Sequence, residues 1–526
     1  MVDRRFLSTL SLLFFGVILA LLRIPDLGYI QNSLWAEDGS LFFREAVSNG
    51  FSSLFSPYAG YLHLYPRIVA LISSYISISL TPYLYFMAWV ASCMFAIYVI
   101  LRQAKRFNRG LLSSMLLISA VLLQPNSGDV FYTITNSQWL ISAAMIIWAC
   151  SSCVERVTLI EWCGLLICAL TGPFVILLVP AMLLRVLVLK DFRTRKAVYV
   201  TIFLCAAIQM LCVSFSGRIQ SAPLDQSLEH WLQAFYVFFS FGEITRSVVF
   251  SIAAAVFWVL YILSLFGLYK AGRIELLLKS FTILLTAGIV FAAGLATKRY
   301  DPLVLHPLMD GSRYYFPAYT MIFFAAFISA SEKKTLRVVM LALVTAIGIN
   351  SFSKIDRPSL QWNAYSKFAT RIPGVSIPLN PQIPKYPGWS LAVPNNKLNT
   401  NIPLKAYEAR VVGSYNLEQA GIWVEKELIP TNEYPSLIIG IPSQCFDKKR
   451  IALDIELTRE ISGWVKIFWR GNEEFSEQKM NRRFHNAGNV RVFFAVNNTG
   501  IRELRLDPQN SDRAFTINSA KIYCEN

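Results

Sequence analysis

Two adjacent carboxylates, Glu37 and Asp38, stand in the run Trp35-Ala36-Glu37-Asp38-Gly39, just ahead of an amphipathic stretch that reaches Asn49. Acids at a helix start have an ordinary role, capping the first turn and complementing its dipole. They can equally act as a general base that takes a proton from an attacking hydroxyl. The motif alone fits both readings. Downstream lies Pro57-Tyr58-Ala59-Gly60-Tyr61-Leu62-His63-Leu64-Tyr65-Pro66-Arg67, a belt of tyrosines with one histidine and one arginine. Such belts commonly anchor a chain at a membrane–water interface, whereas a cation at Arg67 can meet a lipid phosphate.

Other polar residues gather between apolar runs. Asp129 precedes Thr135-Asn136-Ser137-Gln138-Trp139. Amides here can cap a helix start, and because each one donates and accepts they also suit a hydroxyl-rich ligand. Residues 298–317 carry Lys298-Arg299-Tyr300-Asp301, His306 and Asp310-Gly311-Ser312-Arg313-Tyr314-Tyr315. Two arginines beside tyrosine hydroxyls suit a phosphate; ion pairing with Asp301 and Asp310 is the alternative. The 214–246 stretch holds Arg218, Asp225, Glu229, His230 and Arg246 without an interpretable spacing. No P-loop, GxSxG, HExxH or Cys/His zinc spacing occurs, and the four histidines are scattered. No cofactor is therefore implied, and a divalent metal is left open without being indicated.

These residues must be positioned by a 526-residue chain that is 55% hydrophobic and 16% charged, with a mean hydropathy of +0.45. Residues 1–351 hold 42 charged side chains, about 12%, and residues 352–526 hold 40, about 23%. The second figure is ordinary for a soluble domain and the first is not. The pattern is a membrane body with a water-soluble tail, which excludes a soluble enzyme, a fibrous protein and a disordered scaffold. Eleven apolar runs approach spanning length, at 6–22, 83–101, 111–124, 138–152, 157–171, 174–189, 197–213, 247–269, 280–296, 315–331 and 336–351. The first follows Arg4 and Arg5 and lacks a small-x-small cleavage site, so it reads as an anchor with a cytoplasmic N-terminus.

Basic residues concentrate in alternate loops: Arg102 to Arg109, Arg156, Lys190 to Lys196, Lys270 to Lys279, and Lys333 to Arg337. That alternation holds if 62–80 does not cross but lies as an amphipathic helix at the outer interface. An odd number of spans then puts the tail outside the cytoplasm. The net charge of +16 is read as topology, and no nucleic-acid partner is expected. Charges inside spans are few, which argues against an ion-coupled carrier.

Within the tail, residues 352–405 read as a linker rich in Pro, Asn and Lys. Residues 406–526 read as short alternating strands broken by Gly, Asn and Pro, a β-sandwich or jelly roll. Trp464, Phe468 and Trp469 can stack on sugars, but core packing is the expected role. Asn497-Asn498-Thr499 matches a glycosylation sequon. Seven of the nine cysteines lie in or beside apolar runs. The remaining two, Cys445 and Cys524, are expected to form a disulfide in an extracytoplasmic domain, free buried thiols being the alternative.

The layout resembles the GT-C membrane glycosyltransferases. It is most similar to the serotype-converting O-antigen glucosyltransferases of the Gtr type in Gram-negative bacteria and their phages. The motifs that carry the resemblance are Trp35-Ala36-Glu37-Asp38-Gly39, Tyr58-Ala59-Gly60-Tyr61, Asn136-Ser137-Gln138-Trp139, Gly311-Ser312-Arg313-Tyr314-Tyr315 and the two tail cysteines. It implies an all-α polytopic membrane domain over 1–351, with about eleven transmembrane helices and interfacial helices, followed by a periplasmic β-sandwich over 406–526. It also implies a multi-pass protein of the bacterial inner membrane that transfers a sugar, with glucose expected, from a polyprenyl-phosphate donor to a polysaccharide or lipid-linked acceptor, with inversion. Asp38 or Glu37 would be the base. Arg313, Arg299, Tyr314 and Arg67 would hold the donor phosphate, and Asp129, Asn136, Gln138, Trp139, His63 and Tyr61 the sugar or acceptor. A lipid-linked saccharide flippase or transporter, and a GT-C enzyme moving mannose or arabinose, are the alternatives.

Overall fold

The computed structural model describes all residues except 1–3, 32, 108–109, 152–157, 217–223, 244–245, 310, 356, 383–388, 399–403, 418–426, 498–499, 510 and 526. The expectations placed on Arg109, Arg156, Arg218, Asp310, Asn498 and Thr499 lie outside the described residues. The chain forms two compact units. One comprises Met1–Pro25, Ser52–Val69 and Tyr85–Asp356; the other comprises Asp26–Phe51, Ala70–Leu84 and Arg357–Asn526.

The first unit is helical. Each of the eleven apolar runs is a helix, and a further one, Leu228–Phe239, starts at Ser227, whose hydroxyl accepts the His230 amide. Among the described residues four helices are long and apolar enough to cross a membrane: Ile78–Phe107, Lys196–Phe215, Val248–Lys270 and Ile274–Thr297. The rest of the eleven run from 11 to 18 residues. At 1.5 Å per residue that is roughly 16–27 Å, short of a hydrocarbon core of about 30 Å. Helix Leu64–Ser74, within the stretch expected to lie at the interface, has only 11 residues.

Two helices form the centre of this unit. Ser137–Ser151 is buried at every position, and Ser312–Ser329 is buried from Tyr315 onward. A helix apolar on all sides has no face to give to water and belongs in a core. Their C-terminal carbonyls are capped by arginines. Arg195 donates to Ala149 O at 2.9 Å and Arg185 to Cys150 O, while Asp191 holds Arg185 at 2.6 Å. Arg337 donates to Ala330 O at 3.2 Å and Ser331 O at 2.9 Å. Cations at the negative ends of helices are favourable, so these basic residues contribute to packing.

The second unit is built on an antiparallel β-sandwich. One sheet runs β10 (Gly488–Asn497), β7 (Arg450–Arg459), β12 (Phe515–Glu525), β3 (Ala406–Glu408), with β5 (Glu427–Leu428) pairing on β12. The other runs β4 (Arg410–Tyr415), β6 (Ser436–Gly440), β11 (Glu503–Asp507), β8 (Gly463–Arg470), β9 (Met480–His485). Between them lie Ile439, Leu457, Val465, Ile467, Phe494, Leu506, Ile517 and Ile522. Cys445 and Cys524 are joined in a disulfide across a Cα–Cα distance of 5.6 Å.

Trp469 packs in this core. Trp464 departs from the expectation, because an odd spacing in a strand reverses the face. It lies under the Arg482 guanidinium at 4.5 Å and beside Phe484, and Phe468 lies under Arg505 at 4.9 Å.

The described residues of the stretch expected to be a linker include a helix and two strands. Its helix Trp362–Ala369 buries Trp362, Tyr365 and Phe368, and the Tyr365 hydroxyl donates to Phe493 O on β10 at 3.0 Å. Strands β1 (Ser376–Pro378) and β2 (Ser390–Ala392) pair antiparallel. These aromatics supply the apolar burial that a Pro- and Asn-rich composition conceals.

Candidate active site

In the second unit the acidic motif is held by backbone pairing. The Ala36 N–H donates to Asn380 O at 2.6 Å, and the Asn380 N–H donates to Leu34 O at 3.0 Å. This fixes Trp35, whose carbonyl accepts the Asp38 amide at 2.8 Å and so opens the wide-turned helix Asp38–Phe43. π-type turns are rare and concentrate at functional positions. Glu37 stands at the N-cap with helical backbone (φ −65°, ψ −25°) and makes no side-chain capping bond, so the ordinary capping role is not the one it fills. Asp38 is 2% exposed and Glu37 is half-buried. Leu379 packs against Gly39 so closely that a Cβ there would meet its Cδ2 at 2.8 Å.

Two residues outside the motif complete this arrangement. The Arg357 guanidinium stacks on Trp35 at 4.3 Å, and its charge acts on the Tyr29 hydroxyl. The Asn380 amide nitrogen donates to Pro358 O at 3.1 Å, while its Oδ1 is buried without a hydrogen-bond partner among the described residues. An acceptor fixed by its own amide and left unsatisfied in a buried place is costly unless something donates to it. Neither residue had a readable signal, since both lie in the supposed linker.

In the helical unit several expected site residues converge at the first turns of the two central helices. Asn136 donates to Asp129 O at 2.7 Å and accepts from Trp139 Nε1 at 3.3 Å. The Trp139 indole meets the Tyr314 ring edge-on at 5.0 Å and Phe174 at 4.9 Å. Arg313 lies 5.6 Å from the Tyr314 ring.

The Gln138 carboxamide lies over the Gly172 turn, where a Cβ would stand 2.2 Å from its Oε1. His63 reaches the same turn by pairing with Thr171, and its Nε2 lies 3.2 Å from Tyr58 O. Tyr58 and Tyr61 exchange backbone bonds around Ala59 and Gly60, both at positive φ (53° and 87°). The tyrosine belt is therefore a tight two-residue turn of the mirror-image type.

Gln209 ties this region together. It is fully buried in an apolar helix, accepts the Leu62 N–H at 2.9 Å and donates to Gly172 O at 3.1 Å. A lone amide inside an apolar run was the readable sign of it. Arg23 does similar work, bonding the carbonyls of Gln124, Asn126 and Ser353 between the rings of Phe131 and Phe352.

Arg67 is 1% exposed. Arg299 stands in another loop, where its carbonyl accepts the Asp225 amide at 2.8 Å. Asp225 also holds His230 at 2.7 Å, and that carboxylate raises the imidazole pKa. Among the described residues no three His, Cys, Asp or Glu side chains gather as a metal set would.

The two units thus offer different chemistry. A buried carboxylate beside a half-buried one can accept a proton from a hydroxyl. Amides, indole and phenol at the central helix starts can bind a polyol, and Arg313 an anion.

Compared with known proteins, the chain matches no family model and no curated sequence. A solved structure similar to part of it is a carbohydrate-binding module from Cellvibrio mixtus lichenase 5A in complex with cellotriose. The identity is 10% and the TM-score 0.17, covering 23% of this chain and 96% of that one.

Proposed function

We propose that the protein is a membrane glycosyltransferase that moves a sugar from a polyprenyl-phosphate donor to a saccharide acceptor on the outer face of the bacterial inner membrane. The observation that carries this reading is the acidic motif: Asp38 is almost wholly buried, Glu37 beside it makes no side-chain capping bond, and both sit on a segment clasped by Asn380. A carboxylate fixed in position is the kind of group that takes a proton from an attacking hydroxyl.

In this reading eleven crossings leave the N-terminus cytoplasmic and both the 26–51 segment and the sandwich periplasmic. Asp38, with Glu37 as the alternative, removes the proton from an acceptor hydroxyl. That oxygen attacks the anomeric carbon, the bond from carbon to phosphate oxygen breaks, and polyprenyl phosphate departs with the electron pair. Its leaving oxygen needs no proton, because fixed cations stabilise the anion. Arg313, with Arg299 and Arg67, supplies that charge, and Tyr314 a hydroxyl. Asn136, Gln138, Trp139, Asp129, His63 and Tyr61 bind sugar hydroxyls. Glucose is the expected sugar and O-antigen the expected acceptor.

The test is transfer from radiolabelled polyprenyl-phosphate glucose, mannose or arabinose to endogenous polysaccharide in membranes carrying the full chain. Transfer from one donor, lost in Asp38→Asn or Glu37→Gln at normal expression, is expected. Transfer unaltered in both variants removes the acids from the role of base, and no transfer from any donor removes the reaction.

A further inference from the structure

An apolar cavity of about 250 Å³ opens between helices Thr81–Phe107, Ser137–Ser151 and Leu159–Ala169. Its floor is Trp148 and neighbouring apolar side chains, nearly all buried, and its wall includes Phe95. Ile160 at the rim is 85% exposed, so the mouth faces the apolar surroundings of the helices. Gly164 keeps the cavity open, since a Cβ there already touches the Phe95 ring at 3.4 Å.

One end is polar. Arg102 Nη1 meets Glu161 Oε1 at 2.6 Å, and Glu161 is itself held by the Thr158 amide and hydroxyl at 3.0 and 2.9 Å. Arg102 is thereby fixed in place while its side chain stays 39% exposed. A guanidinium has five N–H donors, and one carboxylate oxygen does not exhaust them.

A hydrocarbon slot that ends at an oriented cation has the shape of an amphiphile with an anionic head. We infer that this cavity holds one acyl chain of an anionic glycerophospholipid whose phosphate rests on Arg102. The cavity is smaller than the several hundred cubic ångströms that enclose a whole ligand, which fits a single chain with the remainder in the bilayer. It is also not the place for a sugar donor. Trp148 stands nine residues along the central helix from Trp139, about 13 Å, and Arg102 marks the end away from the amide cluster. The inference is independent of the catalytic reading.

The full-length protein, purified in detergent and stripped of lipid, would be assayed by thermal unfolding. Additions would be phosphatidylglycerol, phosphatidylcholine of the same chains, inorganic phosphate and undecaprenyl phosphate. A saturable rise in Tm of several degrees with phosphatidylglycerol alone is expected, reduced by more than half in Arg102→Gln and in Gly164→Phe. Native mass spectrometry of the wild type should show one retained phosphatidylglycerol, a readout that needs no variant. An equal rise with phosphatidylcholine, a rise with inorganic phosphate, preference for undecaprenyl phosphate, or a rise unchanged in both variants overturns the inference. So does a wild type that retains no phosphatidylglycerol and gains no stability from it.

Discussion

The carbonyl of Asn380 accepts the Ala36 amide at 2.6 Å, two residues ahead of the buried Asp38. The acidic motif thus takes its shape from a segment far away in the chain, and Asn380 brings an unsatisfied buried oxygen with it.

Asn380→Asp tests that proximity. A third carboxylate beside Glu37 and Asp38 raises the pKa of its neighbours by like-charge repulsion. The acid limb of the sugar-transfer rate against pH should therefore move to higher pH, by up to about one unit. Asn380→Ala should leave that limb in place and lower the rate by roughly 3–10-fold, the equivalent of one hydrogen bond. An unmoved profile in the Asp variant separates Asn380 from the acids.

Gly172 and Gln138 should be strongly coupled. Gly172 has φ +81°, and its missing Cβ leaves room for the Gln138 carboxamide. Gly172→Ala introduces both left-handed strain, about 1–2 kcal/mol, and a clash. Adding Gln138→Ala should relieve the clash and keep the strain. The double variant should be more stable than the sum of the single changes requires, measured as Tm in detergent.

The Cys445–Cys524 bridge closes a loop with a sequence separation of 79. Chain-entropy reasoning gives about 4–5 kcal/mol for a loop of that length. Replacing both cysteines by serine, or adding reductant, should lower the unfolding temperature of the sandwich well below that of the untreated protein. Unfolding that is insensitive to both would mean the bridge does not constrain the unfolded chain.

The sandwich should weaken in mild acid. Burial, aided by Arg459 and Arg483, pushes the His485 pKa down to about 4. Between about pH 6.5 and 4 the unfolded chain binds a proton there that the folded one refuses, so stability falls as pH drops through that window. The loss is up to about 3 kcal/mol at roughly 1.4 kcal/mol per pH unit. Asp507, whose carboxyl is raised by burial, acts in the opposite sense. The difference between wild type and His485→Gln therefore isolates the histidine, and parallel curves for the two would remove it from the acid response.

Local periodicity made much of the architecture legible. Apolar runs marked the helices to within a few residues, and period-two alternation marked strands such as β7, β8 and β12. What escaped was set by contacts that leave no local mark. Leu34 and Ala36 pair with Asn380 through main-chain atoms, which any side chains would permit. Leu228–Phe239 was hidden because His230 and Glu229 drew attention as loop charges, although Trp231, Phe235 and Phe238 repeat at helical spacing. Apolar character reports burial in protein as readily as burial in lipid, and Ser137–Ser151 shows the former, so apolar runs alone do not count crossings.

The bond from Asn380 to Ser33 joins residues 347 apart. A ribosome adding about 5–20 residues per second needs roughly 17–70 seconds to cover that interval. The acid-bearing segment is made early and stays unfinished while nearly every apolar helix is synthesised. Its completion is tied to the arrival of the tail, so a prematurely terminated chain carries Glu37 and Asp38 but not the frame that shapes them. Chain completeness is thereby written into the acidic motif itself.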